Sequence, residues 1–272
     1  MRLAPLFLGM MLAACAQPAP VIGDAGNAGP TIVSLNPCTD AILAEVTEPG
    51  QLLAISHYSH DPAASSMDMK RARQFAVTGG TVEEIIALQP DIVVAGSFLA
   101  LSTRTALDDL GIRVETFGMA ADVEQSVGQI RSLAGIAGQA ARGDQLVARI
   151  EAALADAQGD ADGQIPAVLW QPSGIVPGEG TLIADLMRRA GFSSHSQALG
   201  MGQADYLSLE QLLVSPPRVL LIAGQERSQA HPALDRLSGV HRASLDASML
   251  YCGGPTIIAA SRRLKAIRDE VS

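Results

Sequence analysis

Thr81-Val82-Glu83-Glu84-Ile85-Ile86, followed by Pro90 and the run Ile92-Val93-Val94, returns as Ser208-Leu209-Glu210-Gln211-Leu212-Leu213, Pro217 and Val219-Leu220-Leu221. The copies stand 127 positions apart throughout (81 to 208, 90 to 217, 92 to 219), and Ala106-Leu107-Asp108-Asp109-Leu110 still answers to Ala233-Leu234-Asp235-Arg236-Leu237. Each copy reads as helix, proline, apolar strand and next helix. Register held over such a stretch indicates two lobes built on one plan, with a cleft between them. A unit seen only twice at this length is not a solenoid, which needs three or more short repeats.

Working outward, the rest of the chain alternates helices with short, continuous apolar runs. Strands are expected at 31–35, 51–56, 92–95, 113–117, 167–170 and near Met249-Leu250-Tyr251. Helices are expected at 82–88, 102–110, 122–137, 139–157, 181–190 and from about Thr256. That pattern implies an α/β fold of two similar three-layer lobes with mainly parallel sheets covered on both faces. The helix 139–157, with the stripe Leu146, Val147, Ile150 and Leu154, is about 28 Å long at 1.5 Å per residue and suits a strut between lobes.

The first sixteen residues read as an address. Met1-Arg2 precedes an apolar run, Leu3 to Ala14, too short for a membrane span of about 20 residues but fitting an export signal. Its end, Leu12-Ala13-Ala14-Cys15, resembles a lipoprotein box with Cys15 as the acylated residue; cleavage after Ala16 is the other reading, and the position of the cysteine favours the first. The division expected is 1–16 signal peptide, 17–30 flexible Pro/Gly/Ala tether, 31–138 first lobe, 139–160 connecting helix and 161–272 second lobe. Across 272 residues, 48% hydrophobic, the net charge is −9, so no electrostatic footprint for nucleic acid exists.

Catalysis has little support. There is no Gly-x-Ser-x-Gly elbow, and the five histidines make no recognisable triad. Gly178-Glu179-Gly180-Thr181-Leu182-Ile183 resembles a dinucleotide loop, but Ile183 stands where tight packing needs Gly or Ala. His57, His60 and Asp61 offer a metal two imidazoles and a carboxylate, without an evident further protein ligand; contact with a bound molecule is the favoured role for this loop. Neither cofactor nor resident metal is expected.

The aromatics say more. Of nine in the chain, Tyr58, Phe98, Trp170 and Tyr251 fall at or just past expected strand ends, and Tyr206 just before the repeated helix. In parallel α/β sheets ligands bind outside the carboxyl ends of strands, so these residues mark a site for a bulky, partly planar ligand. Cys38 and Cys252 also border this region. A disulfide needs α-carbons within about 4.4–6.8 Å, short for opposite walls of a wide groove, so free or ligand-contacting thiols are favoured over a bridge.

The export box, the tether, Ile32-Val33-Ser34-Leu35-Asn36-Pro37-Cys38-Thr39-Asp40, the loop Ser56-His57-Tyr58-Ser59-His60-Asp61-Pro62 and the duplicated Glu/Pro phrase together resemble the periplasmic binding proteins of ABC importers for cobalamin, haem and ferric siderophores. The likeness covers nearly all of 31–270. It implies a monomeric, non-enzymatic binding protein with one long helix joining its lobes. The partners it implies are a corrinoid or ferric chelate, an ABC permease and ATPase, and the membrane through a lipid anchor. It also implies that Tyr58 lies against the ligand and that Glu83 and Glu210 dock into permease arginines. The candidate ligand set is Cys38, His57, Tyr58, Phe98, Trp170, Tyr206, Tyr251 and Cys252. Val77 and Gly96 replace tryptophans of the cobalamin-binding members, and an arginine expected near Pro255 is missing. An exported enzyme or sensor on the same fold is the competing class.

Overall fold

In the computed structural model, which describes residues 29–160 and 163–271, the chain opens with β1 (Ile32–Ser34), α1 (Pro37–Val46), β2 (Leu52–Ser56), α2 (Met69–Ala72), β3 (Val77–Thr78), α3 (Val82–Leu88), β4 (Ile92–Gly96), α4 (Leu101–Asp109) and β5 (Arg113–Phe117). These strands form a parallel sheet ordered β3-β2-β1-β4-β5. Helices α5 (Val123–Ile136) and α6 (Ala140–Ala157) follow. The second half contains β6 (Ile165–Trp170), α7 (Leu182–Arg189), β7 (Phe192–Ser194), α8 (His195–Ala198), α9 (Leu209–Val214), β8 (Val219–Ile222), β9 (His241–Ser244) and α10 (Thr256–Asp269). Its strands form a second parallel sheet ordered β7-β6-β8-β9.

Side chains alternate across each strand, which gives three apolar layers. Ile32, Ile92 and Val94 face one cluster while Val33 and Val93 face another beneath α3 and α4. In the second sheet Ala167, Leu169, Val219 and Leu221 join the first of these clusters, and Val168, Trp170 and Leu220 face a third with Leu212 of α9. One cluster is thus common to both sheets, filled by α1, α5, α6, α7 and α10. The apolar stripe of α6 (Leu146, Val147, Ile150) is buried in it.

The repeat folds as its sequence suggests at its first two elements. Thr81 caps α3 by accepting from Glu84 N at 3.3 Å, and Ser208 caps α9 with a reciprocal capping box through Gln211. Gln89, left-handed at φ 51°, ends α3 ahead of Pro90. The third element diverges: α4 in the first lobe is a 3-10 turn, Pro232–Arg236, in the second. Leu107 and Leu234 are nevertheless both buried.

The strand expected near Met249-Leu250-Tyr251 is absent. Asp246 accepts from Ser248 N at 2.8 Å and turns the chain into a 3-10 turn, Ala247–Met249. The last strand is β9, His-Arg-Ala-Ser, an edge strand with only Ala243 buried, so it carries no apolar run to read.

Candidate ligand cleft

Each sheet reverses its strand order once, between β1 and β4 and between β6 and β8, and the space outside these strand ends is where such folds bind ligands. Both crevices are plugged by amides. A Cβ on Gly96 would meet Asn36 Nδ2 at 2.7 Å. In the second lobe buried Gln229 Nε2 donates to Trp170 O (3.0 Å) and Ala223 O (3.1 Å). The open space therefore lies over the strand ends rather than within the sheets.

The lobes meet there along a seam. Cys38, in the first turn of α1, is disulfide-bonded to Cys252, with α-carbons 4.9 Å apart. The expectation of free thiols is corrected: the cysteines sit where α1 meets the start of α10, not on opposite walls of a groove. Gly253 and Gly254 make the approach possible, since a Cβ on the first would lie 2.3 Å from Ser126 Oγ and on the second 2.5 Å from Ile42 Cγ1. Buried Ser126 Oγ accepts from Gly254 N at 2.8 Å. Asp185 of α7 accepts from Val123 N of α5 at 3.2 Å while Arg189 spans Asp185 (2.9 Å) and Glu124 (2.7 Å). Burial raises the Asp185 carboxyl, but the Val123 amide and the guanidiniums of Arg188 (3.0 Å away) and Arg189 outweigh it and hold it below its ordinary value.

Above the seam lies a cavity of about 400 Å³, with Met119, Ala120 and Ala121 from the first lobe and Gln171, Ile175, Thr181, Gln203 and Tyr251 among its second-lobe walls. None of its lining residues is charged. Tyr251 donates to Gln171 Oε1 at 2.8 Å. The glycine-containing loop at 178–180 is no phosphate cradle, because Gln203 Oε1 takes the Gly178 amide at 3.0 Å.

Tyr58, about half exposed, lies on the 3-10 turn His57–His60 after β2, outside the lining of this cavity. Its ring lies 4.0 Å from that of His57. His57 Nδ1 is 3.3 Å from Thr78 O and His60 Nε2 is 3.0 Å from Ala72 O, so the two imidazoles point to separate backbone carbonyls. Among the described residues no group of three or more His, Cys, Asp or Glu side chains is arranged to hold a metal. Between β2 and β5, which carry Tyr58 and Met119 on their following loops, there are three strand spacings, about 14 Å.

The other aromatics separate. Phe98 is almost wholly exposed beyond β4. Tyr206 pairs through its backbone with Ile175, packs against Gly174 and is also exposed. Trp170, expected at the ligand, is 1% exposed, and its Nε1 donates to Leu207 O at 2.9 Å, so it belongs to the core. Tyr251 follows a turn rather than a strand. Met119, Gln171, Ile175 and Gln203 were not legible as site residues; Gln171 alone had a signal, as the residue after a strand.

Glu83 and Glu210 are exposed in the first turns of α3 and α9. They are not the capping residues, a role held by Thr81 and Ser208. Backbone and Ser208 hydrogen bonds lower Glu210. Cys15 lies outside the described residues.

The family model for periplasmic binding proteins matches residues 32–240. The chain belongs to this family. A cobalamin-binding protein of Halobacterium salinarum is 27% identical over 200 residues, 71% of this chain and 53% of the relative, so the chain spans about half the length of the curated relatives it matches. This periplasmic binding protein also superposes on the haem-binding HutB of Vibrio cholerae with a TM-score of 0.70, at 15% identity and over 88% of this chain and 98% of that one. The vitamin B12-binding BtuF of Vibrio cholerae gives 0.66 at 18% identity, over 90% and 98%.

Proposed function

We propose that this periplasmic binding protein is the extracytoplasmic substrate-binding component of an ABC importer and that it captures a corrinoid between its lobes. The observation that carries the choice of ligand is the uncharged wall of the cleft. A haem brings propionates, and ferric siderophores commonly bring net negative charge. Placed in an apolar pocket with no cation to pair them, such groups are strongly disfavoured. The rim of a corrinoid is mostly neutral amide, which Gln171, Gln203 and Thr181 can meet with hydrogen bonds, while Met119, Ile175, Tyr251 and Tyr58 cover apolar faces. A cavity of about 400 Å³ seats part of such a molecule, and the width toward Tyr58 accommodates the macrocycle. The Halobacterium relative, named as a cobalamin-binding protein, supports the same reading.

Absorbance titration and thermal shift of tag-free protein against cyanocobalamin, hemin and a ferric siderophore test it, since all three are coloured. Cyanocobalamin should bind and raise the melting temperature. Binding of hemin or the siderophore with no response to cyanocobalamin would overturn the corrinoid reading.

Delivery rests on Glu83 and Glu210, whose exposure at equivalent places of the two lobes leaves both carboxylates available to permease arginines. Charge reversal at both should abolish stimulated ATP hydrolysis and leave ligand affinity intact. Anchoring rests on the box ending at Cys15. Cys15→Ala should leave the chain unlipidated; unchanged mobility and a mature start at Gln17 would establish ordinary cleavage instead.

A further inference from the structure

The first turn of α1 reaches in two directions. Its second residue, Cys38, is bonded to Cys252, the chain neighbour of Tyr251. Its fourth, Asp40, is completely buried, and its Oδ2 accepts from Ser59 Oγ at 2.6 Å and Ser56 N at 3.0 Å, one on each side of Tyr58. Ser56 and Ser59 are themselves buried, whereas His57 and Tyr58 between them are exposed.

Asp40 is poorly served as a core residue. Its Oδ1 has no hydrogen-bond partner. A half-satisfied buried carboxyl costs free energy. What Asp40 supplies is a fixed seat for the turn that presents Tyr58, on the helix that the disulfide ties to the segment presenting Tyr251.

We propose that the first turn of α1 is a spacer that presets the separation of Tyr58 and Tyr251, with Asp40 the positioning residue for one wall and the Cys38–Cys252 bond for the other. The proposal rests on the reading of this cleft as the ligand site. The spacer acts only through the two tyrosines, which separates it from a stability role.

The test combines hydrogen exchange of the ligand-free mature protein with a double-mutant cycle read by cyanocobalamin titration. Asp40→Ala should speed amide exchange across residues 56–60 at least tenfold and leave α10 unchanged. It should weaken cyanocobalamin binding about tenfold beside Tyr58, and less than twofold in a Tyr58→Ala background. Asp40→Asn, whose amide oxygen still accepts, should restore most of the affinity. If Asp40→Ala does not fold, Ser59→Ala removes the 2.6 Å bond from the other side and is held to the same outcomes. Cys38→Ser with Cys252→Ser should show the same non-additivity with Tyr251→Ala. Unchanged exchange at 56–60, or a full tenfold loss persisting in the Tyr58→Ala background, would overturn the spacer. A wild-type protein that ignores cyanocobalamin defeats the corrinoid reading instead, and the exchange result then decides the spacer alone.

Discussion

Asp40 and Asp185 occupy the same place in the two lobes. Each is the fourth residue of the helix that joins the first strand of its lobe to the second. Asp40 turns into its own lobe and holds the Ser56–Ser59 turn, where burial, against the hydrogen bonds it accepts, pushes its carboxyl up to about 7. Asp185 turns outward across the seam, to the first amide of α5 and to two arginines, and is held low. One duplicated position therefore fixes the Ser56–Ser59 turn in one lobe and fastens the lobes together in the other. The duplication preserved the helix and its acidic residue, while the partners each lobe supplied decided what the residue does.

The largest expected effects test this divergence through pH. The carboxyl of Asp40 is raised when folded, so the folded state binds more protons than the unfolded one between pH about 4 and 7. Its penalty is absent below the unfolded pKa and grows as pH rises toward the folded one. Stability should fall across that window by an amount on the order of a few kcal/mol. Asp40→Asn should flatten the slope in denaturant titrations run from pH 4 to 7. Asp185 has the opposite sign: its contribution is present above the unfolded value and fades as pH falls through the lower folded one. Asp185→Asn should flatten only the acid limb, and an equal effect in both windows would break the comparison.

The seam itself should be nearly as sensitive. Gly254, at φ +70° and with Ile42 in the space of its missing Cβ, should tolerate no side chain. Gly254→Val is expected to cost about 3 kcal/mol and roughly 10 °C in melting temperature. Gly180, which lines the cleft and would have nothing within 4 Å of an added Cβ, should accept alanine with little change in Tm. Removing Asp185 altogether should cost about 2 kcal/mol, the worth of a charged hydrogen bond to a buried amide, because its arginines remain partly solvated. Smallest are the changes at the walls. Tyr58→Ala and Tyr251→Ala should each weaken ligand binding about tenfold, or about 1.4 kcal/mol, while Tm stays nearly constant. An effect at only one tyrosine would show that the lobes share the ligand unequally.

The sequence carried the fold wherever an element had both a period and a stop. Thr81 with Pro90, and Ser208 with Pro217, bracketed their helices, and the apolar runs behind the prolines became central strands. Two edge strands, β7 and β9, were illegible for the opposite reason: they are short and mostly polar, whereas the edge strand β5 carries enough apolar residues to be read. The site was legible only in part. Tyr58 and Tyr251 are exposed rings in a chain poor in aromatics, but so are Phe98 and Tyr206, and composition does not say which of the four share a site. Trp170 has the same composition signal, yet the peptide oxygen of Leu207 claims its indole, a distant contact no local pattern announces. The disulfide was hidden because strand-end reasoning places Cys38 and Cys252 on facing walls, whereas two glycines bring their backbones together beneath the cleft.

The apolar cluster that runs from Ile32 through Leu146 and Ile150 to Leu169 and Ile267 does not respect the division into halves. Each sheet uses it as one of its two faces, so neither half owns a complete interior. Loss of either sheet would expose the helices that the other needs. Melting should therefore be cooperative over the whole body, with one calorimetric transition rather than two. Two halves that share one interior should also have little freedom to swing apart, so the groove between them is expected to keep its width whether or not anything fills it.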